Sequence, residues 1–209
     1  MITRKKRFLS AELSPEEYAD PMMDLNDRSP RGIEVEENRI YFYCPVMDRE
    51  ALELNRLLRR LDVEMKYLSD RLGCEPVPIH LHVNSPGGSV FAGVSIVDTI
   101  NSCHSDVHTY VDGSAASAAT LIVASGATGH RHIGKNSFML IHQPHLEWAG
   151  KLDDFMDEVK NQEKIYETVK SIYSDRCKIK GKKLDDILTH ELWLDANECV
   201  KLGLVDKIV

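Results

Sequence analysis

Val77-Pro78-Ile79-His80-Leu81-His82-Val83-Asn84-Ser85-Pro86-Gly87-Gly88-Ser89-Val90 decides the fold. Val77, Ile79, Leu81 and Val83 fall on every second position, the period of a strand with one buried face. Pro86-Gly87-Gly88 breaks that period, and Val90, Val94, Val97 and Ile100 resume at helical spacing. A strand, a glycine turn and a helix in this order are the opening of a parallel strand–helix–strand unit.

The same grammar extends outward in both directions. Upstream, Arg39 to Cys44 is rich in strand formers, and Leu54, Leu57, Leu58, Leu61, Met65, Leu68 and Leu72 mark an amphipathic helix. Downstream, the pattern predicts a strand over 107–111, a turn at Gly113, an alanine-rich helix from Ala115 to about Ala124, and a strand over 137–142. The fold class is therefore α/β with a largely parallel, covered sheet. Leu152 to Cys177 reads as one long helix whose polar middle, Asn161 to Lys164, interrupts its apolar stripe, so it is expected to project from the body. Asp195 and Glu198 have capping-box spacing, Gly203 ends the last helix, and residues 205–209 form a final strand. Met1 to Gly32 is polar, holds Pro15, Pro21 and Pro30, and lacks periodicity; it is read as an N-terminal arm, leaving 33–209 as one domain.

Composition removes several function classes. With 209 residues, 43 % hydrophobic and 28 % charged, the chain is neither disordered nor fibrous. A net charge of −7 argues against a nucleic-acid partner, and Arg4-Lys5-Lys6-Arg7 is too short a basic run to change that. No apolar run reaches the roughly 18 residues of a membrane span, so a cytoplasmic location and no membrane partner are expected. Cys44, Cys74, Cys103, Cys177 and Cys199 are odd in number and widely spaced, as reduced thiols are. The pairs His80/His82, Cys103/His104 and His130/His132 are too loose for a metal site, and neither metal nor cofactor is expected.

Two residues stand where chemistry is possible. Ser117, in Gly113-Ser114-Ala115-Ala116-Ser117-Ala118-Ala119, falls at the start of a helix after a strand, where free N–H groups favour developing negative charge. A capping hydroxyl in a tightly packed helix explains the same residue. His142 ends a strand at the sheet edge where α/β proteins place their sites, and a hydrogen-bonded structural histidine is the bland reading. Gly87-Gly88 serves either a tight turn or the close approach of backbone N–H groups to a substrate.

Taken together, Asn84-Ser85-Pro86-Gly87-Gly88-Ser89-Val90, Ala115-Ala116-Ser117, Met139-Leu140-Ile141-His142-Gln143-Pro144 and Gly203-Leu204-Val205-Asp206, in that order, closely resemble the proteolytic subunit of the Clp protease (ClpP) family. The resemblance runs from about Arg39 to the C-terminus and implies a ClpP/crotonase-like ββα superhelix with a projecting handle helix, residues 152–177. It implies a serine endopeptidase with Ser117 as nucleophile, His142 as general base, and the N–H groups of Gly88 and Ala118 as oxyanion hole. It also implies that an extended substrate pairs beside Ser89 and Val90 on one side and His145 and Leu146 on the other, with no cofactor.

The chain departs from the family pattern at informative places. The position of the triad aspartate holds Glu191, with Asp185 and Asp186 as substitutes nearby. Positions that carry unfoldase-docking aromatics hold His80 and His82, and the ring-contact arginine is His190. The resemblance implies unfolded polypeptide substrates, a homo-oligomer of stacked heptameric rings and an AAA+ unfoldase as partner. Other readings are an inactive or regulatory homologue, an unfoldase-independent phage-encoded or accessory processing protease, and, last, a crotonase-type acyl-CoA enzyme.

Overall fold

Residues 32–145 and 151–209 are described in the computed structural model. Of the expected arm only Gly32 falls within them, and Leu146 lies outside. The chain runs β1 (Ile33–Glu36), β2 (Arg39–Phe42), α1 (Asp48–Leu72), β3 (Ile79–Ser85), α2 (Val90–Ser102), β4 (Val107–Ala116) and α3 (Ala118–Ala124). It continues through β5 (Arg131–Ile133), β6 (Phe138–Leu140), α4 (Leu152–Arg176), α5 (Lys182–Leu188), α6 (Ala196–Leu202) and β7 (Lys207–Ile208).

The sheet order is β1-β2-β3-β4-β5-β7, with β6 also on β4; β1 and β2 are antiparallel and every other pair is parallel. Ile79, Leu81 and Val83 are fully buried, as the alternation requires, and α1, α2 and α3 pack against one another on this core. The other face is not sealed by helices as expected. Its side chains cover one another: the ring pairs Tyr41–His82, His82–Tyr110, Tyr110–His132 and His108–His130 stack with centroids 4.0 to 5.0 Å apart. Flat imidazole and phenol rings shield neighbouring strands and keep their polar edges available, His82 to Asp112 at 2.8 Å and His80 to Tyr110 at 2.9 Å.

Further expectations are corrected. Gly113 does not end its strand. At φ +89 it bends β4, which pairs Thr109–Val111 with β5 before the bend and Ser114–Ala116 with β6 after it. The following helix therefore begins at Ala118, not Ala115, with Ser117 as its N-cap. The apolar stripe of α1 is buried as far as Leu61 and Met65 packs partly buried against the core, whereas Leu68 and Leu72 at the helix end are exposed. The capping box is present, with Asp195 accepting from Glu198 N–H and Glu198 from Asp195 N–H.

The C-terminal segment is held by Arg131, which is 4 % exposed. Its Nε and Nη2 donate to the two oxygens of Asp206 at 2.9 and 2.7 Å, and its Nη1 donates to the carbonyl of Arg176 at the end of α4. Burial alone would raise the Asp206 pKa, yet the guanidinium and the N–H groups of Arg131 and Gly129 hold it down at about 2. Asp206→Asn leaves a buried guanidinium unpaired, which costs about 3 to 5 kcal/mol. At roughly 2 to 4 °C per kcal/mol, Tm at pH 7 should fall by about 10 °C. Because the carboxyl is depressed below its ordinary 3.8, the wild-type advantage is complete above that value and disappears as pH falls towards 2. An unchanged Tm at pH 7 would contradict this assignment.

Candidate active site

The site is built where β3 and β4 end side by side. Gly87 turns the chain out of β3 at φ +86, with its N–H donating to Ser85 Oγ. A Cβ on Gly87 would lie 2.4 Å from the Ala116 carbonyl and 2.7 Å from Ser117 Cβ, so glycine alone fits this contact. Gly88, at φ +149, bridges to Val46; that bridge uses the N–H of Val46 and of Ser89, and neither bond takes the N–H of Gly88.

Ser117 occupies a strained corner. It and Glu37 are the only non-glycine residues with positive φ among the described residues; at φ 52 and ψ −126, Ser117 links β4 to α3. Its N–H donates to Leu140 and its carbonyl accepts from Thr120 N–H and Oγ1, which fixes the corner from both sides. Thr120 Oγ1 in turn meets the fully buried Tyr173 hydroxyl at 2.6 Å, tying α4 to α3. As the first residue of α3, Ala118 has an N–H with no acceptor within its helix.

His142 follows β6, its side chain 13 % exposed. Met139 and Leu194 exchange both backbone hydrogen bonds, and Gln143 N–H donates to Leu188, which draws the 188–194 loop alongside. Glu191 on that loop lies 3.9 Å from His142 Nδ1 and 3.2 Å from His145 Nε2, through the same oxygen Oε1. Burial, with His145 adding to it, pushes the His142 pKa below its ordinary 6.5, and Glu191 partly opposes the shift.

These elements surround one cleft of about 350 Å³, bounded by Gly88, Ser89, Val90, Ser117, Ala118, His142, His145 and the α4 residues Gln162, Ile165 and Tyr173. Gly88, Ser117, Ala118 and His142, although they come from separate elements, thus border one cleft; Leu146 lies outside the described residues. Ser89 borders the cleft, but its Oγ caps α2 by accepting from Ala92 N–H. Asp185 pairs with Lys170 at 2.8 Å, and neither it nor Asp186 borders the cavities around His142. Two features escaped the sequence reading. Tyr173 and Gln162 lie on the helix read as a handle, and no local signal marks them as bordering the cleft that Ser117 lines. The His145–Glu191 contact depends on a loop position that spacing does not encode.

A family model described as Clp protease matches residues 63–209. The chain is 40 % identical over 133 residues to the "ATP-dependent Clp protease proteolytic subunit" of Streptococcus mutans, covering 63 % of this chain and 68 % of that protein. It is 39 % identical over 134 residues to the protein of the same name from Streptococcus sanguinis, with the same coverage. The Lactococcus lactis subsp. cremoris protein of that name is likewise 39 % identical over 134 residues, 63 % of this chain and 67 % of its own length.

A methyl group at Gly87 tests the contact on which the corner rests. Gly87→Ala should lower stability well beyond Gly73→Ala, which shares the positive φ but meets nothing within 4 Å and should cost about 1 kcal/mol. Equal losses in thermal denaturation would mean that the Gly87–Ser117 approach is not tight.

Proposed function

The chain belongs to the Clp protease family and is a Clp-type protease subunit, and we propose that it cleaves peptide bonds by acyl transfer through Ser117, His142 and Glu191. The observation that carries this reading is the single cleft lined by Ser117, His142, Gly88 and Ala118, with Ser117 raised on a strained strand–helix corner. Serine is a weak nucleophile until a base takes its proton. In the proposed cycle His142 Nε2 accepts the Ser117 Oγ proton as Oγ attacks the peptide carbonyl. The resulting oxyanion is received by the N–H groups of Gly88 and Ala118, donors already fixed by the Gly87 turn and the start of α3. Collapse returns the proton to the leaving amine, and water, deprotonated by the same imidazole, hydrolyses the acyl-enzyme. Glu191 stabilises the imidazolium formed in each half-reaction. An extended chain lies along Val90 and the segment from His145 onward.

The reading extends to assembly. The first half of α4 exposes Leu152 (74 %) and Met156 (51 %), apolar surface suited to burial by a second copy, as stacked heptameric rings would provide. The substrates are unfolded polypeptides admitted to the chamber, and the name "ATP-dependent" carried by the relatives motivates an AAA+ unfoldase as partner. Among the described residues no helix is long and apolar enough to cross a membrane, and cytoplasmic residence is part of this proposal. A second reading, a regulatory subunit with a weak site, is favoured by one distance: Glu191 is nearer His145 than His142.

Hydrolysis of a fluorogenic peptide separates the two. Ser117→Ala should abolish turnover, and Glu191→Gln should reduce kcat by roughly 100-fold or more. Full activity in Glu191→Gln would remove Glu191 from the mechanism, and no turnover in the wild type as a folded oligomer favours the regulatory subunit. The pH profile carries a sign. His142 acts unprotonated, so kcat/KM should rise with pH to a midpoint below 6.5. Losing the Glu191 charge should move that midpoint down, and His145→Gln should move it up. A wild-type midpoint above 6.5 would contradict the assignment.

A further inference from the structure

We propose that His142, His145 and Glu191 form a binding site for one divalent transition-metal ion of the zinc class, and that the bound ion switches the peptidase off. The second half of this inference rests on the role of His142 proposed above; the first does not.

Among the described residues, these are the three side chains of metal-binding type whose donor atoms converge, all lying within 4.8 Å of one another. In a tetrahedral zinc site with bonds of about 2.0 to 2.1 Å, ligand atoms stand roughly 3.3 Å apart. The separation of 3.2 Å between His145 Nε2 and Glu191 Oε1 already meets that value, and 3.9 Å from His142 Nδ1 to the same oxygen is close to it. The shift required falls on the exposed partners, which have room to rotate: the side chains of His145 and Glu191 are 69 % and 64 % exposed, whereas that of His142 is 13 % exposed. Two imidazoles and a carboxylate suit zinc, with the fourth position left to water.

A separate cavity of about 340 Å³ supplies room and access. It is lined by all three residues with Leu188 and Thr189, and neither lysine nor arginine borders it to neutralise Glu191 in place of an ion. It opens behind His142, on the Nδ1 side, and shares only part of its wall with the Ser117 cleft. The histidines of the sheet face offer no such convergence. His108 and His130 stack 4.0 Å apart with planes 7° from parallel, and ring lone pairs, which lie in the plane, do not point at a common ion between stacked rings.

The inhibitory effect follows from the tautomer. In the proposed cycle Nδ1–H faces Glu191 and the Nε2 lone pair accepts the Ser117 proton. An ion on Nδ1 needs the lone pair of that nitrogen, so the Nδ1 proton is displaced, the ring's one proton resides on Nε2, and no acceptor remains for serine. Glu191 is withdrawn at the same time.

Titration of untagged, full-length Ser117→Ala protein with Co²⁺ tests binding without any need for activity. The expected result is the visible absorption of a tetrahedral complex at one ion per chain, discharged by Zn²⁺, with affinity falling roughly tenfold or more in added His145→Ala or Glu191→Gln backgrounds. No bound ion, or affinity indifferent to both changes, overturns the site. In parallel, Zn²⁺ should inhibit peptide hydrolysis by the wild type and a chelator should restore it. The His145→Ala enzyme, measured against its own metal-free rate, should need roughly tenfold more Zn²⁺. Site-dependent binding with unaltered hydrolysis overturns the switch. Absence of metal-free hydrolysis in the wild type counts against the proposed catalytic role of His142 and leaves the Co²⁺ result to decide the site.

Discussion

The contact between Gly87 and the Ala116–Ser117 peptide is the constraint on which the rest of the site depends. Parallel pairing of β3 with β4 brings two strand ends together, and the absence of a side chain at Gly87 lets them close to backbone distance. Ser117, packed against this turn, sits at positive φ and borders the cleft. The same turn sets Gly88 next to it. The proposed nucleophile and oxyanion donors are therefore brought together by one close approach, bought with strain at a single residue.

That strain persists because the surroundings over-determine it. Leu140 and Thr120 grip the two backbone groups of Ser117, Tyr173 braces Thr120, and Arg131 binds Asp206 and the end of α4 into the same frame. The acid side is different in kind. Glu191 belongs to a loop fixed by backbone bonds at Leu188 and Leu194, and its own side chain extends into an open cavity between two imidazoles. A Ser117 corner held by backbone bonds thus faces an exposed acid, which fits both the proposed triad and the proposed ion site behind His142.

Much of this was legible in the chain. The alternation of Ile79, Leu81 and Val83, the glycine turn and the Asp195–Glu198 box all encode local geometry directly, and all three appear as read. Gly113 misled because a glycine marks a bend as readily as an end; only the change of partner from β5 to β6 distinguishes them, and that is non-local. The uncovered sheet face was hidden for a related reason. Histidine and tyrosine at alternate positions look half-exposed one strand at a time, and their mutual stacking exists only once four strands are in register. Short α5 escaped notice although Leu184, Ile187 and Leu188 carry helical spacing.

The most direct test of the central claim, that this corner makes Ser117 an activated nucleophile, is the intact mass of the wild-type and Ser117→Ala proteins after treatment with a fluorophosphonate in metal-free buffer. One adduct per chain, mapped to Ser117 and lost in the variant, is the predicted result. A folded wild-type oligomer that takes up no adduct, or an adduct that survives Ser117→Ala, would contradict it.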